Sequence, residues 1–226
     1  MVKVEPGTFT MSKRDGENDS EEVEHQKTLT KPFYIGKYEV TNEQWCAVMG
    51  VSRAPSLINR GARYPVEDIS WHDAMSFCEK MNQYAPSGWK FTLPTETQWE
   101  FAARGGNKSR DYKYSGSDTP GDVAWYKDNS GDTTHVVGGK APNELGLYDM
   151  SGNVWEWCLD NFQNDSSNTK AEFTRAYRDS DGSDRVIRGG GLVLDARHCR
   201  SANRNYTSPA NRYSSLGLRL ALVPAE

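Results

Sequence analysis

Two kinds of position alternate between Arg188 and Arg219, and one of them restricts how the chain can fold. The restrictive positions suit tight turns, close packing or rigid bracing; we call them the frame residues: Gly189, Gly190, Gly191, Cys199, Arg204, Pro209, Arg212 and Gly217. Between them lie twelve residues without a shared chemistry, the contact residues: Val193, Leu194, Asp195, Arg197, His198, Tyr206, Thr207, Ser208, Ala210, Tyr213, Ser214 and Ser215. A fixed frame that carries interchangeable residues indicates a recognition surface more than a catalytic site.

The same stretch is basic within an acidic protein. Seven arginines and one acid, Asp195, lie between Arg185 and Arg219, whereas the whole chain carries a net charge of -4. We expect most of these guanidinium groups to pair with acids elsewhere in the domain and to brace loops, with an anionic ligand as the alternative. The acidic total argues against a nucleic-acid partner, because nucleic-acid binders normally show a basic surface.

The four cysteines form no closely spaced pair, which argues against a structural zinc site. Cys46, Cys78 and Cys158 lie beside aromatic or aliphatic residues, so buried free thiols are expected. No apolar run approaches the roughly 20 residues that span a bilayer, and no signal peptide opens the chain. The sequence as given therefore predicts a soluble protein, although a missing export signal does not place it in the cytoplasm.

Helix signals are clear at three places. Thr41, Ser70 and Thr95 each precede an apolar stripe of helical spacing, and Thr41 and Thr95 are followed three residues later by glutamine, as in a capping box. Leu29–Val40 alternates as a strand pair broken at Gly36 would. No linker or internal repeat divides the 226 residues, which favours one domain over residues 1–226.

Four ordered segments carry a resemblance to a known family and span nearly the whole chain: Phe33–Trp45, Phe91–Gly106, Asn143–Cys158 and Arg185–Arg219. Together they resemble the sulfatase-modifying factor family, the formylglycine-generating enzyme type of domain. The resemblance implies an α+β protein with the C-type-lectin-like fold of that family, which combines few helices, twisted antiparallel strands and much irregular loop.

The oxidases of this family use two cysteines five positions apart near the C-terminal motif. Cys199 matches the second position, but Leu194 occupies the first. Leucine cannot ligate copper or form a disulfide, so we do not expect oxidase chemistry. Cys199 is then expected to be a small buried residue of its turn.

Calcium is the one metal that the resemblance suggests, in a structural role, and no cofactor is required. Family members with calcium use oxygen ligands that correspond to Asp149, Gly152, Val154 and Glu156. A second family site is impaired here, since Val123 stands where an asparagine is expected. The alternative is that Asp149 and Glu156 hydrogen-bond to loop backbone.

Within the family, the chain looks most similar to the branch diversified by retroelements, in which adenine-directed mutagenesis rewrites a C-terminal variable region, here about 192–215. Mutation of the adenines in an AAC codon cannot yield Lys, Glu, Gln, Met or Trp, and none of these occurs among the contact residues. The resemblance implies a non-enzymatic binding protein on the outer surface of a bacterium. We expect Tyr206 and Tyr213 to be its anchors, because aromatic rings give contact area at a low entropy cost and carry a polar tip.

The expected partner is a protein or glycan on another cell or a host surface, and membrane contact arises only through a lipid anchor outside the given chain. A formylglycine-generating oxidase and a calcium-dependent lectin are the alternatives.

Overall fold

The computed structural model describes residues 1–12, 24–163 and 183–225. Its helices are few and short: α1 (Asn42–Met49), α2 (Trp71–Met81), α3 (Glu96–Ala103) and α4 (Pro120–Val123). The three predicted helix starts are confirmed, because Thr41, Ser70 and Thr95 each accept a hydrogen bond from the third helical residue and form a complete capping box. Helix α1 ends at Gly50, whose φ of 71° is the left-handed conformation that glycine adopts readily.

The strands are also short. They are β1 (Val2–Val4), β2 (Gly7–Met11), β3 (His25–Leu29), β4 (Phe33–Ile35), β5 (Trp89–Thr92), β6 (Ala124–Trp125), β7 (Ser151–Gly152), β8 (Trp155–Asn161), β9 (Arg185–Arg188), β10 (Arg204–Thr207), β11 (Leu216–Gly217) and β12 (Ala221–Pro224). One sheet has the order β1-β4-β12-β5 and a second has the order β10-β9-β8-β11. Pairing is antiparallel except between β8 and β11 and between β6 and β7.

Indole rings link the helices to the second sheet. Trp71 on α2 donates through Nε1 to the carbonyl of Cys158 on β8, and Trp157 on β8 donates back to the carbonyl of Ile69, each at 3.0 Å. Both rings are buried, so their N–H groups need these partners. The second sheet is thereby fixed against α2, and its strands hold the contact residues: β9 precedes them, β10 includes Tyr206 and Thr207, and β11 follows them.

The predicted strand pair over Leu29–Val40 is only partly right. The break falls at Thr30–Pro32, between β3 and β4, and not at Gly36. Pro32 lacks the N–H that a strand ladder requires, which explains the position of the break. The composition of the acidic segment Arg14–Glu24 predicts a loop, and this segment lies outside the described residues except for Glu24.

All four cysteines are free thiols, as expected from their neighbours. Cys78, Cys158 and Cys199 are buried, and Cys46 is half-buried. Among the described residues, no helix has the length and apolar composition needed to cross a membrane.

Candidate functional site

The contact residues and the frame residues differ sharply in exposure. Six contact residues are exposed: Val193, Asp195, Arg197, Tyr206, Ala210 and Tyr213. Five are half-buried: Leu194, His198, Ser208, Ser214 and Ser215. Every frame residue is buried except Arg212. Eleven of the twelve contact residues therefore reach solvent, whereas the frame lies beneath them.

Thr207 differs from its expected role. It is 9% exposed, and its hydroxyl oxygen lies 2.8 Å from Asn211 Nδ2 and 3.2 Å from the hydroxyl of Tyr213. Asn211 also donates to Tyr213 at 3.0 Å. Thr207 thus holds Tyr213 in place instead of meeting a ligand itself. Tyr206, the other expected anchor, is fixed by stacking on Phe162 at 4.0 Å between ring centroids.

Two buried arginines of this segment are neutralised by one helix. Arg188 lies between Glu96 and Glu100, which are four residues apart on α3, and Arg204 pairs with both oxygens of Glu96 at 2.8 Å. All four side chains have no exposed surface. Burial alone would raise the pKa of Glu100, but Arg104 and Arg188 bring it below its ordinary value, so Glu100 stays ionised. The expected pairing of arginines with distant acids is confirmed.

A third buried arginine closes the C-terminal side of the frame. Arg219 donates to both carboxylate oxygens of Glu156 on β8, at 2.6 to 3.0 Å, and to the carbonyls of Gly36 and Tyr148. Trp99 donates to the same carboxylate at 2.6 Å. Because charge-assisted, multidentate bonds fix geometry as well as charge, Arg219 ties three separate parts of the chain together.

A loop that sequence reasoning missed borders the first contact residues. Ser130 donates through Oγ to the carbonyl of Leu192 at 2.7 Å, and the backbone N–H of Lys127 donates to the carbonyl of Leu194 at 3.0 Å. Lys127 Nζ also lies 3.4 Å from Asp195 Oδ1, with both side chains exposed. No local motif in the sequence predicts this contact, because 68 positions separate Lys127 from Asp195.

Cys199 is poorly placed for thiol chemistry. Its side chain is buried with Tyr114, Val123 and Ala124, whereas Leu194 packs against a different apolar cluster. Burial raises the pKa of the Cys199 thiol to about 12, and the backbone N–H of Gly191 opposes this only weakly. The thiolate needed for nucleophilic or metal chemistry is therefore strongly disfavoured.

The two carboxylates among the expected calcium ligands differ in availability, and the described residues include no group of three or more His, Cys, Asp or Glu side chains that could hold a metal ion. Asp149 is buried and accepts the N–H of Gly138 through Oδ2 at 2.6 Å, while Oδ1 has no hydrogen-bond partner among the described residues. Both oxygens of Glu156 are taken by Arg219 and Trp99. An ion bound by the full set would have to displace Arg219. The residues therefore fit calcium poorly, and calcium binding stays a prediction.

Replacing Asp149 by asparagine should stabilise the protein at neutral pH. Burial raises the pKa of the Asp149 carboxyl group to about 6. The protonated group therefore contributes fully to the free energy of unfolding below pH 4, and this contribution is lost as the pH rises through 6. That loss amounts to at most about 3 kcal/mol. Asparagine removes the charge, can still accept from Gly138, and tolerates the positive φ of 57° at this position. In EDTA, urea unfolding at pH 7.5 should give Asp149→Asn the higher free energy of unfolding.

At pH 4 the two proteins should be nearly equal in stability, which serves as the internal control. The variant could instead be less stable than the parent protein at pH 7.5 when calcium is present, but not when EDTA is present. That result would show that a bound cation needs the Asp149 carboxylate.

Comparisons with known proteins agree with this architecture. The model of the sulfatase-modifying factor enzyme 1-like domain matches residues 1–223. Chaperone protein LppX of Paenibacillus barcinonensis is 37% identical over 206 residues, which cover 70% of each chain. The formylglycine-generating enzyme of Thermomonospora curvata is 29% identical over 291 residues, covering 99% of this chain and 93% of the relative.

Among solved structures, Treponema denticola variable protein 1 superposes with a TM-score of 0.80 at 30% identity, covering 99% of this chain and 95% of that one. The relatives thus include a named enzyme and a named variable protein with the same fold. This chain belongs to the sulfatase-modifying factor family and has the C-type-lectin-like, mixed α and β fold of that family.

Proposed function

We propose that this protein is a non-enzymatic binding protein whose contact residues form the ligand face. One observation carries the proposal: eleven of the twelve contact residues reach solvent, while every frame residue except Arg212 is buried, and the buried arginines Arg188 and Arg204 are neutralised by ion pairs. Side chains on such a surface can change without disturbing the core, because substitutions at exposed positions usually alter stability little. Tyr206 and Tyr213 are the anchors, since each ring is held by a neighbour before a ligand arrives.

The face is proposed to be diversified by a retroelement. The absence of Lys, Glu, Gln, Met and Trp from the contact residues supports this, as does the likeness to a structure named a variable protein. The DNA around the gene tests it. We expect a near-repeat of the segment that encodes Val193–Ser215, differing at adenines and accompanied by a reverse transcriptase gene. A locus with neither feature would contradict diversification.

The properties of the Cys199 thiol and the lack of a partner cysteine at position 194 argue against an oxidase role. Burial holds the pKa of the Cys199 thiol far above neutral pH, which disfavours the thiolate, and Leu194 supplies no second sulfur. The purified protein, with copper and oxygen, should leave the cysteine of a sulfatase peptide unchanged, as judged by mass spectrometry. A thermostable family oxidase run in parallel is the positive control. Formylglycine produced at more than the protein-free rate would reverse this assignment.

We further propose display on the outer surface of a bacterial cell, with membrane contact only through a lipid anchor. The likeness to a variable protein and to LppX supports this placement. The partner is then a protein or glycan on another cell or a host surface, and the net charge of -4 supports a partner other than nucleic acid.

A further inference from the structure

The loop from Val51 to Tyr64, which we call the flank loop, carries three arginines and no acidic residue. Arg53, Arg60 and Arg63 are exposed, and no Asp or Glu occurs anywhere in the loop. Within residues 1–12, 24–163 and 183–225, none of the three guanidinium groups forms an ion pair. The flank loop is therefore a local basic surface on a protein of negative net charge.

Buried polar groups hold the flank loop in one conformation. The carboxylate of Glu67 has no exposed surface and accepts the N–H of Ile58 at 2.7 Å. Ser56 Oγ donates to Asn42 Oδ1 at 2.6 Å and accepts the N–H of Glu67 at 3.0 Å, while Asn42 Nδ2 donates to the carbonyl of Asn59 at 2.9 Å. These bonds tie Ser56, Ile58 and Asn59 to Asn42 and Glu67, whereas Glu67 Oε2 has no hydrogen-bond partner among the described residues.

An apolar side chain stands exposed on this rigid loop. Leu57 is 58% exposed, and it precedes Ile58, whose N–H is bound by Glu67. Val51 is also exposed. A buried carboxylate thus fixes a segment that presents a leucine to water between Arg53 and Arg60. An isolated exposed leucine is ordinary, but one that stands on a hydrogen-bonded loop among three exposed arginines has the composition of a protein interface.

The flank loop adjoins the contact residues through the residues on either side of Glu67. The N–H of Asp68 donates to the carbonyl of Tyr213 at 3.0 Å. The carbonyl of Val66 lies 2.4 Å from the position of a Cβ at Gly217, a contact that only glycine permits. The same short segment therefore supports the flank loop on one side and the end of the variable region on the other.

We propose that the flank loop is an unchanging part of the ligand face, and that its partner is a protein surface with carboxylates around an apolar side chain. This inference rests on the proposed binding function. Guanidinium groups bind carboxylates in a bidentate manner, and arginine and tyrosine are enriched at protein interfaces. A sulfated glycan would satisfy the arginines but offers no apolar group for Leu57.

Panning of a phage-displayed library of random cyclic dodecapeptides on the intact protein tests this inference. Peptides enriched on the parent should be rich in Asp and Glu and contain a large apolar residue. Their affinity should fall about tenfold or more for Arg53→Ser/Arg60→Ser/Arg63→Ser, and should weaken as NaCl rises. Leu57→Ser should weaken binding without changing the salt dependence.

The matched control is Lys31→Ser/Lys90→Ser/Lys108→Ser, which removes the same charge from exposed positions elsewhere and should keep full affinity. Tyr206→Ser/Tyr213→Ser separates the two proposals. If this variant loses binding while the arginine variant keeps it, the flank inference is wrong and the contact face stands. If both keep full affinity, both proposals are wrong. The protein could instead be retained on heparin through the three arginines while acidic peptides are not enriched. The partner would then be a sulfated glycan and not a protein.

Discussion

Arg188→Met should lower the free energy of unfolding by about 3–5 kcal/mol. Arg188 has no exposed surface and neutralises Glu96 and Glu100 on α3. Methionine has a comparable volume but no charge, so two buried carboxylates would keep only Arg204 and Arg104 as counter-charges. Removing one member of a buried ion pair costs about 3–5 kcal/mol, against a total stability of about 5–15 kcal/mol for a typical domain.

Arg212→Met is the matched control, because it removes the same group from the same segment. The Arg212 side chain is 47% exposed and pairs with the partly exposed Asp73. Exposed pairs contribute about 1 kcal/mol or less. Urea unfolding monitored by tryptophan fluorescence compares the two variants. Equal losses in both variants would mean that burial does not distinguish Arg188 from Arg212.

Gly190→Ala should destabilise the protein by about 3 kcal/mol. Gly190 has a φ of 75°, and an added Cβ would lie 2.5 Å from the carbonyl oxygen of His198 and 2.8 Å from the Sγ of Cys199. The backbone oxygen cannot move aside as a flexible side chain could. The substitution should therefore displace the 3₁₀ turn Ala196–Cys199 and lower the unfolding midpoint in urea.

Gly50→Ala isolates the conformational part of that cost. Gly50 has a similar φ of 71°, but nothing lies within 4 Å of its Cβ position. Replacing Gly50 should lower the free energy of unfolding by only about 1–2 kcal/mol, because alanine is strained in the left-handed backbone conformation. If Gly190→Ala costs no more than Gly50→Ala, the close contact with His198 is not what demands glycine.

Local signals in the sequence predicted the local structure well. The N-caps at Thr41, Ser70 and Thr95 depend on residues three positions away, and all three form as predicted. The frame residues were recognisable because glycine and arginine have few substitutes in turns and buried braces. The excess of arginine without lysine also predicted distant acidic partners.

The identity of those partners could not be predicted, because the contacts are long-range. Arg188 and Glu100 are 88 positions apart, and Asn42 and Ser56 meet only after the flank loop folds around Glu67. Thr207 was expected to meet a ligand, but the two end residues of β10, Arg204 and Thr207, are buried, whereas Asn205 and Tyr206 between them are exposed. A strict alternation along the strand would not have given this pattern.

Randomising the contact residues tests the central claim most directly. A displayed library in which all twelve positions vary over the residue types reachable from AAC should be panned on an unrelated protein such as streptavidin. We predict that most members stay folded, as judged by protease resistance, and that specific binders emerge with the frame unchanged. Widespread unfolding, or binders whose changes lie only outside the contact residues, would contradict the account.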